Sequence, residues 1–202
     1  MSLKKIPGTL HTAVIDSPCG KLFLAASDTH LVACDWVDGW HRATVQARLE
    51  RHLAGPWIEG GLEASPLLAQ TAEELEEFFA GHRKTFDLPL LFLGTDFQKA
   101  VWTALQKIPF GELRTYAEVA VAAGRPSAFR AAAGAVGENP FSIIVPCHRV
   151  IGSDRSITGY GGGYAAKRLL LSLEGHQVSQ PPQEETKAAD AKGGAARHGK
   201  IR

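Results

Sequence analysis

The chain has 202 residues, 45% of them hydrophobic, and a formal net charge of +1. That length suits one domain or two small ones around a real core. No apolar run of 18 residues occurs to span a membrane, and three cysteines (Cys19, Cys34, Cys147) without a Cys-x-x-Cys pair exclude a disulfide framework and a closed zinc site. Charge is unevenly spread: residues 1–95 carry 8 Lys and Arg against 12 Asp and Glu, and residues 96–177 carry 9 against 6. A basic half beside an acidic half lets one face meet an anionic partner, although the excess is small. The first residues lack the apolar stretch of a signal peptide, so the expectation is a soluble, cytoplasmic chain.

In chain order, residues 11–37 read as strands, with short apolar runs broken at Asp16-Ser-Pro-Cys-Gly20 and Ser27-Asp-Thr-His30. Segments 41–54 and 66–80 have helical character, the second with a capping box at Thr71-Ala-Glu-Glu74 and an end before Gly81. A further strand is expected near 84–92. Thr95-Asp-Phe-Gln98 predicts a helix to Lys107, with Phe97, Val101, Trp102, Leu105 and Ile108 on one stripe. Thr115-Tyr-Ala-Glu118 is another capping box and starts a helix to Ala123. Gly124-Arg-Pro126 is a turn, and Ser127 is expected to cap a third helix from Ala128 to about Val136. Two short helices around a glycine turn outline a helix-turn-helix, a shape that helical hairpins without DNA also share. Residues 141–151 form an apolar segment broken at Pro146-Cys-His-Arg149, residues 158–163 a Gly-rich loop, and 164–174 a last helix. The tail from 178 to 202 has almost no large apolar residues and is expected to be disordered.

Cys147 is the residue with chemistry to explain. A thiolate is a nucleophile, and a neighbouring histidine or positive charge lowers the thiol pKa and raises reactivity. His148 and Arg149 follow it directly. A buried structural cysteine is the alternative. Residues adjacent on a strand point to opposite faces, so adjacency does not establish contact.

The run Ile143-Ile-Val-Pro-Cys-His-Arg-Val150 resembles the signature of the O6-alkylguanine-DNA alkyltransferases. The resemblance covers 95–175: Phe97-Gln98, Val101-Trp102, Ile108-Pro-Phe-Gly-Glu112, Thr115-Tyr116, Gly124-Arg-Pro126, Arg130, Asn139-Pro140, Thr158-Gly-Tyr160 and Leu170-Leu-Ser-Leu-Glu-Gly175. The N-terminal half matches more loosely, through Ile15-Asp-Ser-Pro-Cys-Gly-Lys-Leu22. It implies an α+β protein: a small ribonuclease H-like N-terminal domain (1–92), a C-terminal helical domain with a winged or helix-turn-helix DNA-binding motif (93–177), and the tail (178–202).

The implied activity is single-turnover DNA repair. An alkyl group moves from O6-alkylguanine, with O4-alkylthymine as a second candidate substrate, onto Cys147 after the base is flipped out. His148 takes the thiol proton through a water, Glu174 orients His148, and Tyr116 donates to the leaving base. Asn139 holds the active-site turn. Arg130 fills the gap in the base stack. Ser127, Ala131, Ala132 and Ala135 accompany it on a helix in the minor groove of double-stranded DNA, bound without sequence preference. Tyr160, the Gly161 amide, the carbonyls of Cys147 and Val150, and Ser142 form the base pocket. Without the resemblance, Glu174 reads as a solvated helix end, Tyr116 as a core tyrosine, Arg130 as a surface arginine, the alanines as a helix–helix contact, and 158–163 as a flexible loop.

No cofactor and no metal are implied, and a monomer is expected. Three positions depart from the family pattern. Phe129 is bulkier than usual beside Arg130. Arg155 replaces a turn glycine and is a candidate phosphate contact. Ser142 replaces a pocket-closing proline, which predicts a more open pocket and weaker binding of O6-benzylguanine-type inhibitors. The rival readings are a DNA-binding module that recognises alkylated bases without repairing them, and a cysteine hydrolase using Cys147 and His148.

Overall fold

The structure is a computed structural model that describes residues 8–178 and Ile201. The N-terminal half is a four-stranded sheet of order β3-β2-β1-β4: β1 (Leu10–Ile15), β2 (Leu22–Ala26), β3 (Leu31–Trp36) and β4 (Trp57–Glu59). The first three pair antiparallel and β4 joins β1 in parallel. Helix α1 (Arg42–His52) covers one face, burying Val45 and Leu49 with Leu10, Ala25 and Ala33. The other face, with Leu22, Leu24, Cys34 and Trp36, meets α2 (Pro66–Phe79) through Leu68, Leu75 and Phe78. Cover on both sides explains why all six residues of β3 are buried instead of alternating.

The C-terminal half holds α3 (Asp96–Gln106), β5 (Arg114–Thr115), α4 (Tyr116–Ala122), α5 (Phe129–Gly137), β6 (Val150–Ile151) and α6 (Gly163–Leu173). The capping boxes at Thr95 and Thr115 both form, each with reciprocal bonds to Gln98 or Glu118. Val101, Trp102, Leu105, Val119, Ala132 and Val136 join the same core as the inner sheet face and α2, so the two halves share one interior. Among the described residues no helix is long and apolar enough to cross a membrane.

Three sequence expectations need correction. Helix α2 begins at Pro66 behind Ser65, not at a Thr71 capping box: the Thr71 hydroxyl donates back to the Leu67 carbonyl, and Glu74 accepts from the Asp87 amide. Pro is well placed in a first helical turn because its missing N–H has no partner there anyway. Segment 84–92 is not a strand. It makes one isolated bridge, Leu31 to Leu90, and Pro89 has no N–H to extend it. The fourth strand is instead Trp57–Glu59, short and flanked by glycines, which hid it. Ser127 does not cap α5, whose cap position is Ala128 with no side-chain bond. The expected disordered tail lies outside the described residues except at its ends, where Val178 forms one antiparallel bridge with Ile201. Ile201 is buried with Ile151, Ile157 and Leu171, and Arg155 donates from Nε to its carbonyl at 3.2 Å. That bond engages one nitrogen of an otherwise exposed Arg155 side chain.

The outer edge of β3 positions the site. Its Cys34 amide donates to the Pro140 carbonyl at 2.9 Å, and the Ser142 amide donates to the Cys34 carbonyl at 2.6 Å. An edge strand leaves backbone groups unpaired, and the segment leading to Cys147 uses them.

Candidate active site

Between α5 and Cys147 the backbone turns sharply. Ile143 has φ 72, a left-handed conformation that a β-branched residue adopts at a cost of about 1–3 kcal/mol. Hydrogen bonds hold it there. Asn139 donates from Nδ2 to the carbonyls of Val145 (2.8 Å) and Phe141 (3.3 Å), and its Oδ1 accepts from the Phe141 amide (3.1 Å). The same Nδ2 lies 3.1 Å from Cys147 Sγ. One buried side chain therefore fixes the turn and touches the sulfur.

Residues Cys147–Arg149 form a single 3₁₀ turn, not an extended strand, so the three side chains fan out from one point. His148 is completely buried and meets Glu174 Oε1 from Nε2 at 2.8 Å. Arg149 donates to both oxygens of Glu174 from Nε (3.0 and 2.9 Å), and from Nη1 to the Ile108 carbonyl. Glu174 Oε2 also accepts from the Gly111 amide at 3.0 Å. Glu174 thus lies at the end of α6 but is only 6% exposed, collecting hydrogen bonds from three residues on two segments.

Burial pushes His148 below its ordinary value of 6.5, against the hydrogen bond and charge of Glu174. Burial would raise the Glu174 carboxyl, but His148 and Arg149 outweigh it and hold it at about 2. With His148 pushed below 6.5 and Glu174 ionised, His148 is neutral at neutral pH and Arg149 is the cation beside the carboxylate. An ionised carboxylate can only accept, so the proton of neutral His148 sits on Nε2 and Nδ1 carries the free lone pair. Nδ1 is buried without a hydrogen-bond partner among the described residues. It is an atom able to take a proton.

The Cys147 thiol is 7% exposed, and burial raises it to about 11 despite the Asn139 contact and the charge of Lys167. This corrects the expectation of a depressed thiol pKa: the apolar walls outweigh the nearby cation. Lys167 was missed by the sequence reading. Its Nζ donates to the Val150 carbonyl at 2.6 Å, and burial lowers it to about 8. Leu170 and Leu171 follow it at helical spacing on the buried face of α6, and that periodicity was the available signal.

A cleft of about 460 Å³ lies between the two halves, lined by Trp36, Trp40, Tyr116, Gly134, Tyr160 and Gly161 among others. Tyr116 shares a 2.5 Å hydrogen bond with the Thr158 hydroxyl. The Tyr160 ring packs edge-on between Trp36 and His148, at centroid distances of 5.9 and 6.4 Å. Two expected pocket residues are buried. Val150 is fully buried and its carbonyl already accepts from Lys167. Ser142 is buried and turns its hydroxyl to Asp35 Oδ1 at 3.3 Å, away from the cleft, because β3 claims its backbone. A larger groove of about 1000 Å³ between α3 and α4 contains none of Cys147, His148, Tyr160 or Glu174.

Helix α5 exposes Phe129, Arg130, Ala131 and Gly134, and Ser127 is exposed in the preceding turn. Ala132 and Ala135 are buried, and the Ala135 carbonyl accepts from Trp102 Nε1 at 2.8 Å. They pack against α3, so these two are corrected from DNA contacts to the helix–helix seam. Tyr116, Ala133 and Gly134 line the cleft beside the exposed stripe.

The chain matches the model of the 6-O-methylguanine DNA methyltransferase ribonuclease-like domain over residues 10–92, and that of the same family's DNA binding domain over 96–176. It is 44% identical to a methylated-DNA–protein-cysteine methyltransferase of Methanosarcina barkeri over 80% of this chain and 94% of that protein. It is 41% identical to the constitutive methylated-DNA–protein-cysteine methyltransferase of Bacillus subtilis, over 79% and 92%. Its fold matches the Mycobacterium tuberculosis OGT crystallised with DNA at a TM-score of 0.70, with 40% identity over 82% of this chain and 93% of that one.

Proposed function

The chain belongs to the 6-O-methylguanine DNA methyltransferase family, and from that premise we propose which of its residues perform the transfer. The activity is direct-reversal repair of DNA, in which an alkyl group on guanine O6 is moved to a cysteine of the protein and the protein is consumed. The partner is DNA. The carrying observation for the residue roles is the chain of contacts Asn139–Cys147 and His148–Glu174–Arg149, joined to the cleft through Tyr160, which lines it and packs edge-on against His148.

In this reading Cys147 Sγ attacks the alkyl carbon while the bond from that carbon to guanine O6 breaks. The thiol proton passes through a water to His148 Nδ1, and the electron pair of the broken bond goes to the guanine. Tyr116, hydrogen-bonded to Thr158, gives a proton to the departing base, so guanine leaves neutral. Glu174 keeps the His148 tautomer with Nδ1 open. Asn139 sets the sulfur. Tyr160 packs against the flipped base and the Gly161 amide meets O6. Arg130, at the exposed start of α5, occupies the vacated stack in the minor groove, with Ser127 and Ala131 beside it. We assign DNA reading and chemistry to residues 93–177 and a bracing role to 1–92. Three free cysteines fit a cytoplasmic location.

Incubation with an O6-methylguanine duplex and intact-mass analysis tests this. One methyl per chain, mapped to Cys147, is expected. Cys147→Ala should bind the duplex and take no methyl. Tight binding by the parent without an adduct would favour a recognition module, and repeated product without an adduct a hydrolase; either outcome removes the proposal.

A further inference from the structure

The Gly-rich loop is not free in space. It lies flat on the turn that leaves β3. A Cβ at Gly162 would fall 2.4 Å from the Trp36 indole, and one at Gly161 would fall 2.2 Å from His41 Cε1. Real Cβ contacts do not come that close, so both glycines serve close approach to an N-terminal wall. His41 forms that wall at Gly161. It is 2% exposed, and its Nε2 lies 3.0 Å from Asp35 Oδ1. Asp35 is fully buried, and the same oxygen accepts the Ser142 hydroxyl at 3.3 Å. A buried carboxylate survives only with donors around it, and these two come from opposite sides of the Cys147 region. One is the imidazole under the Gly161 loop. The other is the turn leading to the sulfur.

We propose that His41, held by Asp35, is a positioning residue for alkyl transfer: it fixes the Gly161 backbone relative to the Cys147 turn. The proposal rests on the reading above, in which Gly161 meets the guanine. Loop and sulfur belong to different segments of the C-terminal half, and the Asp35 carboxylate ties them across the N-terminal sheet. In-line displacement is sensitive to such registry, since a misplacement near 1 Å can cost about a hundredfold in rate.

The test measures the single-turnover rate constant with saturating O6-methylguanine duplex, counted per active molecule, beside the dissociation constant for unmodified duplex and the melting temperature. His41→Ala and Asp35→Ala should slow transfer by about tenfold or more, with the dissociation constant within about twofold of the parent. Asp35→Asn keeps an acceptor oxygen for both donors and should restore most of the rate. Gly161→Ala alone should also slow transfer, because its methyl meets the imidazole. In the His41→Ala/Gly161→Ala double variant that methyl has room, so the double should be no slower than His41→Ala alone. Should His41→Ala fail to fold, Gly161→Ala and Asp35→Asn read the same contact from its other sides. Parent-like rates per active molecule in His41→Ala or in Gly161→Ala overturn the proposal. So does rate loss that only tracks melting temperature, or additive losses in the double. A parent that forms no adduct fails the functional reading instead, before any variant is compared.

Discussion

A thiol held at about 11 by its surroundings is protonated at neutral pH, so the transfer cannot draw on a standing thiolate. The proton has to leave as the sulfur attacks, and the group placed to take it is neutral His148. Its pKa is pushed down, so the base form is present above that lowered value and is lost as pH falls through it, below 6.5. The rate constant for adduct formation should therefore fall in acidic buffer and should not rise from about pH 6.5 to about pH 9, since loss of the Lys167 charge near 8 only disfavours the thiolate further. Stopped-time mass analysis across that range checks this; a rate rising tenfold per unit between about pH 7 and 9 would mean direct thiolate titration and would remove the base role of His148. The residue scale also shows where sequence reading ends. The Pro-Cys-His-Arg run drew attention to the right atoms. The environment that decides the thiol's charge state, including Lys167 from α6 and Asn139 from beyond α5, is assembled only in three dimensions.

Helix α5 shows how one element serves two partners. Its alanines look interchangeable in sequence, but Ala132 and Ala135 fall on the α3 seam, and Ala131 with Arg130 on the exposed side. Small residues at the seam let Trp102 reach the Ala135 carbonyl and bring the two helices close. Arg130 stands at the start of the exposed face, its guanidinium 5.6 Å from the Phe129 ring centroid. If that arginine holds the gap left by an extruded base, Arg130→Ala should slow repair of a duplex by about tenfold or more while leaving a single-stranded oligonucleotide near the parent rate. Equal slowing on both substrates would assign Arg130 to general phosphate contact. The capping boxes at Thr95 and Thr115 were legible because they are local: each needs four residues and no tertiary partner. Thr71 carried the same pattern and did not cap, because Pro66 had already opened the helix and Glu74 was drawn to the Asp87 amide.

At the scale of the molecule, a shared interior holds the two halves as one body. The acidic N-terminal half supplies the sheet edge and the His41 wall, and the basic C-terminal half supplies the exposed helix. With a net charge of only +1, the DNA contact must be local. Affinity for unmodified duplex should fall with salt at a log–log slope of about −2 to −3, as for two or three neutralised phosphates. A slope of about −6 or steeper in a titration would require a far wider basic face than α5 and its flanks provide. The sequence by itself determined the order of elements in the C-terminal half, the family, and Cys147 as the atom of interest, because each is written in contiguous motifs. The tertiary structure alone decided that Ser142 faces Asp35, that Ala132 and Ala135 are interior, and that the Gly161–Gly162 loop rests on His41 and Trp36. Those contacts join residues about 100 positions or more apart, or depend on which side of a helix meets its neighbour. Spacing along a chain specifies neither.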